Sequence, residues 1–132
     1  MVQTVIFDLD DTLVDSHSIR ELRDQRNWAE VDKQLDSLKL FHGIRELLEW
    51  LRTDKSVLVA VVTNAPRKYT EKLLTLNNLH VDHIVCYGES RYPKPTQEPI
   101  VKAIRELKGS PYRTIAIGDR CIDVESAKGA GV

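Results

Sequence analysis

Four short apolar runs rich in β-branched side chains, Val2 to Phe7, Val57 to Val62, His83 to Tyr87 and Thr114 to Ile117, alternate with stretches whose apolar residues recur at helical spacing. Each run is bounded by polar residues or glycine, as a strand covered on both faces requires. Gly43 to Arg52 places Ile44, Leu47, Leu48 and Leu51 on one helical face. Pro66 to Leu76 does the same with Tyr69, Leu73, Leu74 and Leu76, and Pro66 suits a first helical turn. Glu98 to Leu107 carries Ile100, Val101, Ile104 and Leu107 as an apolar stripe, with Lys102, Arg105 and Glu106 outside. Strands that alternate with helices predict a parallel sheet with helices on both faces, a doubly wound α/β architecture.

The 132 residues fit one hydrophobic core, so residues 1–132 are expected to form a single domain. Two segments break the rhythm. Residues 15–40 form a charged insertion after the first strand, expected to be helical, with Leu35 and Leu38 as thin apolar anchors. Within it Arg20, Arg23 and Arg26 recur every three residues; a solvated face is the ordinary reading, and a small lid with a positive face is the sharper one. At the other end, Gly129-Ala130-Gly131-Val132 has the form of a helix end leading into another strand, so the domain reads as cut short. The edge beside Thr114 to Ile117 is then expected to lie open.

Apolar content of 42%, charged content of 30% and a net charge of -1 give no basic excess that would draw nucleic acid nonspecifically. No apolar stretch reaches membrane-spanning length and the start lacks a signal-peptide layout, so a cytoplasmic chain without membrane contact is expected. Cys86 and Cys121 stand apart without metal-ligand spacing; both are expected to be reduced, with Cys86 in a strand core.

The residues at the C-terminal ends of the strands share one character. Strand one ends in Asp8-Leu9-Asp10-Asp11-Thr12, strand two in Thr63-Asn64, and strand four in Gly118-Asp119 with Asp123 following; Lys94 comes after strand three between two prolines. Open parallel sheets bind ligands at this rim. Clustered carboxylates repel one another unless a cation neutralises them, and oxygen ligands suit a divalent ion. In extended chain Asp8 and Asp10 project to one side, which suits a nucleophile and an acid/base, while Asp11 points elsewhere. A dianionic phosphate with Mg2+ accounts for the acids, the hydroxyl and the lysine together.

These four segments make the chain resemble the haloacid dehalogenase (HAD) superfamily, most of all its magnesium-dependent phosphatases. The DxDx[TV] motif is matched by Asp8 to Thr12, the strand-end Thr/Ser by Thr63, the lysine by Lys94, and GDxxxD by Gly118 to Asp123. The resemblance implies a Rossmann-like doubly wound sheet with a short cap at about 15–40. It implies that Asp8 attacks phosphorus to form an aspartyl-phosphate, and that Asp10 protonates the leaving oxygen and then activates water. Thr63, the backbone amide of Asn64 and Lys94 would bind the phosphoryl group; Asp8, the Asp10 backbone carbonyl, Asp119 and Asp123 would hold Mg2+, Asp123 directly, through water, or as an anchor behind the ligands. A small phosphorylated substrate is expected, with a nucleic-acid substrate left open. A phosphomutase uses the same groups, and a phosphate- or metal-binding regulatory module is the rival from another class. Arg67, His17 and His42 are expected to be solvated.

Overall fold

The computed structural model describes all 132 residues. Its main sheet has strands β1 (Thr4–Phe7), β4 (Leu58–Val62), β5 (His83–Val85) and β6 (Thr114–Ile117) in the order β5-β4-β1-β6, every neighbouring pair parallel. The expected runs are all present, trimmed by one or two residues at several ends. β1 lies at the centre, paired to β4 with Phe7 opposite Val61 and to β6 with Phe7 opposite Ile117, and all its residues are buried.

Alternation along the strands sorts the core into two layers. Val5, Phe7, Val59 and Val61 face α3 (Ile44–Thr53) and α4 (Arg67–Leu76), packing with Leu48, Leu51, Leu73 and Leu74. Ile6, Ala60, Val62 and Val85 face α5 (Glu98–Glu106) through Ile100, Ala103 and Ile104. Helices on both faces of a parallel sheet make the doubly wound α/β fold that the alternation predicts. Helix α6 (Cys121–Gly129) follows β6. β6 is an edge strand, and Ile115 and Ile117 on it are exposed. No helix is long and apolar enough to cross a membrane.

The segment 15–40 differs in detail from the single helical stretch expected. A two-residue strand, β2 (Val14–Asp15), pairs antiparallel with β3 (Lys39–Leu40), so the chain leaves and re-enters through one narrow ribbon. Between them lie α1 (Arg20–Asp24) and α2 (Trp28–Gln34), each flanked by a 3-10 turn. α1 stops because Arg26 turns left-handed at φ 54°, which lets the Asn27 N–H donate back to the Leu22 carbonyl at 2.9 Å. Asn27 then caps α2, its side chain accepting from the Glu30 N–H. Ile19 and Val31 join Leu35 and Leu38 as buried anchors to the α3/α4 layer.

Candidate active site

The loop after β1 is shaped by its own backbone. The Asp8 N–H continues the ladder to the Ile117 carbonyl at 2.9 Å, so Asp8 is held as rigidly as the central strand. Beyond it the Leu9 carbonyl collects the N–H groups of Leu13 at 3.0 Å and Val14 at 3.2 Å, closing a tight turn. Asp11 sits in that turn at φ 58°, a conformation Asp tolerates, and its carboxylate accepts from the Ser16 N–H at 3.0 Å. Asp11 is therefore a turn-former, as its separate direction in the sequence implies.

Lys94 is almost fully buried, and its three ammonium protons have three acceptors: Asp8 Oδ1 at 3.0 Å, Asp123 Oδ1 at 2.5 Å and the Val62 carbonyl at 2.9 Å. Asn64 holds its main chain from both sides, donating to the Lys94 carbonyl at 2.9 Å and accepting from the Lys94 N–H at 3.1 Å. The Asn64 side chain thus fixes the lysine loop. Thr63 is buried at the end of β4, its Oγ1 accepting from the Ala65 N–H at 3.0 Å.

Asp123 lies on the first turn of α6, where its other oxygen accepts from the Arg120 N–H at 3.0 Å and caps the helix. Gly118 makes that approach possible: a Cβ there would lie 2.4 Å from the Asp123 carboxyl carbon. Carboxylate oxygens of Asp8, Asp119 and Asp123 all lie within 4.8 Å of one another. Thr12 donates towards this group, 3.2 Å from Asp119 and 3.4 Å from Asp8. A compact set of hard oxygen donors with one lysine against them fits a magnesium-sized cation.

Burial dominates the electrostatics. It pushes the Asp8 carboxyl up from 3.8 to about 7; Lys94 pulls it back down, while the Asp123 charge raises it further. Asp10 is also raised by burial, opposed by the Arg23 charge and by the hydrogen bond from Tyr69.

Asp10 lines the same cleft but stands outside the Asp8, Asp119 and Asp123 oxygen cluster. Tyr69 OH on α4 donates to its Oδ1, and Arg23 Nη1 on α1 pairs with its Oδ2 at 3.2 Å. Trp28 on α2 packs its ring 5.5 Å from that of Tyr69, tilted at 50°. Sequence alone gives Tyr69 no role beyond the apolar stripe of its helix; Arg23 belongs to the set whose sharper reading is a lid with a positive face and whose ordinary reading is a solvated face. Arg23 is a correction to that reading, because its side chain is only 17% exposed. Arg67 is exposed at the start of α4, as expected, and there pairs with Glu71 on the same helix, with Glu89 in the loop after β5 and with the Ile84 carbonyl of β5. His17, His42 and Cys121 are exposed, and Cys86 is buried just past β5. Asp8, Asp10, Thr63, Asn64, Lys94, Asp119 and Asp123 all line one cleft of 390 Å³, which the insertion walls on one side.

This constellation on a doubly wound sheet defines a class. The haloacid dehalogenase-like hydrolase profile matches residues 18–132, and the chain belongs to that family. Over 95 residues it is 32% identical to an N-acetylmuramic acid 6-phosphate phosphatase of Pseudomonas putida, covering 70% of this chain and 42% of the relative. Over 109 residues it is 30% identical to a plasmid-borne phosphoglycolate phosphatase of Cupriavidus necator, covering 81% and 46%. The chain therefore spans less than half the length of these curated relatives. A crystal structure of a HAD-superfamily hydrolase from Geobacter sulfurreducens superimposes with a TM-score of 0.81 at 20% identity, over 99% of this chain and 84% of that one, and shares the fold.

Proposed function

We propose that this chain carries the site of a magnesium-dependent phosphomonoester hydrolase that works through an aspartyl-phosphate on Asp8. The observation that carries the reading is the placement of Asp8: rigid at the end of the central strand, 3.0 Å from the Lys94 ammonium, and beside the Asp119 and Asp123 carboxylates. Curated relatives at 30–32% identity bear phosphatase names, which supports the same reaction class.

In the first step an Asp8 oxygen attacks phosphorus while the bond to the leaving oxygen breaks, and Asp10 gives its proton to that oxygen. In the second, Asp10 takes a proton from water as the water oxygen attacks phosphorus, and the Asp8–phosphorus bond breaks to release phosphate and restore Asp8. The Thr63 hydroxyl, the Asn64 backbone N–H and the Lys94 ammonium bind the phosphoryl oxygens whose charge grows in transit. Asp8 must be ionised to attack, and Lys94 favours that form against the burial that opposes it. Magnesium, held by Asp8, the Asp10 carbonyl, Asp119 and, directly or through water, Asp123, would supply the remaining positive charge. Residues 15–40 serve as a short cap that walls the cleft and leaves it open to small phosphorylated substrates.

The test is release of phosphate from 4-nitrophenyl phosphate with and without magnesium, repeated with Asp8→Asn and Asp10→Asn. Metal-dependent turnover lost with Asp8→Asn and strongly reduced with Asp10→Asn is expected. Phosphate held on the protein without release would point instead to a signalling module, and turnover surviving Asp8→Asn would remove the nucleophile.

A further inference from the structure

Lys94 enters the site from a loop. Residues 86–97, between β5 and α5, belong to no helix or strand, and Lys94 stands there between Pro93 and Pro95, which carry no N–H. Its own N–H and carbonyl both meet one group, the Asn64 carboxamide: Nδ2 donates to the carbonyl at 2.9 Å and Oδ1 accepts from the N–H at 3.1 Å. The carboxamide does here what the peptide group of a neighbouring strand would do in a ladder. At the far end of the side chain the Val62 carbonyl accepts from the ammonium at 2.9 Å. Lys94 is thus hung at both ends from the close of β4.

β4 lies beside β1 with Val61 opposite Phe7, and Asp8 follows Phe7. One strand therefore holds the proposed nucleophile and its neighbour holds the cation, 3.0 Å apart. The flexible four-carbon stem of a lysine would otherwise have to be ordered during the reaction, and charge that grows on phosphoryl oxygens is met best by a cation already in place. Both polar atoms of the Asn64 side chain are engaged with Lys94, and its backbone N–H is the part proposed to meet the phosphoryl group. Asn64 joins the two halves of that site, the end of β4 and the lysine loop.

We infer that the Asn64 side chain is a positioning residue: by clamping the Lys94 main chain to the end of β4 it fixes the ammonium against the phosphoryl oxygens of the transition state. The inference rests on the phosphatase reading of the same cleft. It gives the side chain of Asn64 a role separate from that of its backbone N–H, and one exerted entirely through Lys94.

The experiment compares Asn64→Ala and Asn64→Leu with the unmodified protein, both variants keeping the backbone N–H. With 4-nitrophenyl phosphate and magnesium, kcat is expected to fall by about tenfold or more while KM stays within about threefold. Orthovanadate, which takes up the five-coordinate shape of a phosphoryl group in transit, should lose affinity by the same factor as kcat/KM, and inorganic phosphate by less. Leucine matches the shape of asparagine and makes neither bond, so a loss confined to Asn64→Ala would mark a packing role and overturn the inference. In a Lys94→Met background, Asn64→Ala should change vanadate affinity by less than about twofold. An equal loss in both backgrounds would mean that the side chain acts on the ligand itself, and would overturn it too. Amide exchange reads the clamp without any ligand: the Lys94 N–H should exchange about tenfold faster in Asn64→Ala, and an unchanged rate would overturn the clamp. Turnover separates the two claims. Full activity of Asn64→Ala sinks the clamp and leaves the phosphatase standing, whereas an unmodified protein that releases no phosphate sinks the phosphatase and leaves the clamp to be decided by exchange and vanadate titration.

Discussion

The Arg23 guanidinium lies 3.2 Å from the Asp10 carboxylate, so a residue of the insertion sets the charge on the proposed acid/base. Burial drives Asp10 towards its neutral form and Arg23 opposes that. Arg23→Gln is therefore expected to raise the Asp10 pKa. Because water activation needs the ionised form, the acidic limb of the kcat profile should move to higher pH, by about one unit. A pH series on an alkyl phosphate measures it; an unmoved limb would mean that Arg23 leaves Asp10 during the reaction.

Tyr69 grips the other Asp10 oxygen from the rigid side of the cleft. We expect Tyr69→Phe to leave the fold intact, since the ring and its packing against Trp28 remain. The loss should fall on substrates whose leaving oxygen needs a proton. The value of kcat/KM for an alkyl phosphate should drop by about tenfold or more, and that for 4-nitrophenyl phosphate, whose leaving group departs unprotonated, by much less. An equal drop on both would assign Tyr69 a packing role. In an Asp10→Asn background, Tyr69→Phe should add little, because its effect passes through the carboxylate.

The raised Asp8 carboxyl makes a statement about stability. Its pKa is about 7 in the folded, metal-free protein against 3.8 as a free side chain. Between those values the folded chain binds more protons than the unfolded one, so stability falls as pH rises. The contribution is intact below pH 3.8 and is lost as pH climbs through 7. Asp8→Asn removes the slope. Its stability relative to the unmodified protein should improve by on the order of 3 kcal/mol between pH 4 and pH 8. Urea unfolding with chelator at both pH values checks this; parallel behaviour of the two proteins would contradict it. On the proposed site magnesium takes the ionised form, so its addition should flatten the difference.

Gly118 is required by its neighbour. A methyl group there would collide with the Asp123 carboxyl carbon at 2.4 Å, and Asp123 holds both Lys94 and the start of α6. Gly118→Ala should cost about 3 kcal/mol of stability and lower magnesium affinity together. Calorimetric metal titration and thermal unfolding measure the two losses, and a variant with unchanged metal affinity would separate Gly118 from the metal site.

Much of this arrangement is legible in the chain. Val5-Ile6-Phe7 reads as a fully buried strand because every position is apolar, and the acids after it must leave the core; both follow from burial alone. Lys94 is legible only in company, since a lysine is ordinarily solvated and nothing local shows that Asn64 will clamp its backbone from 30 residues away. Tyr69 is illegible for the opposite reason. Its ring fits the helical apolar stripe, and its hydroxyl reaches Asp10 across 59 residues of chain. The insertion's ribbon escapes notice because two-residue strands carry no periodicity, and the left-handed turn at Arg26 leaves no mark in residue type.

The central claim is that phosphorus bonds to Asp8, and rapid-quench labelling addresses it without intermediates of inference. The protein is mixed with magnesium and a 32P-labelled phosphomonoester, quenched in acid within the first turnover, digested and mapped. The account predicts acid-stable, base-labile label on the peptide containing Asp8, with none retained by Asp8→Asn. Label on another residue, or full turnover by Asp8→Asn, would contradict it.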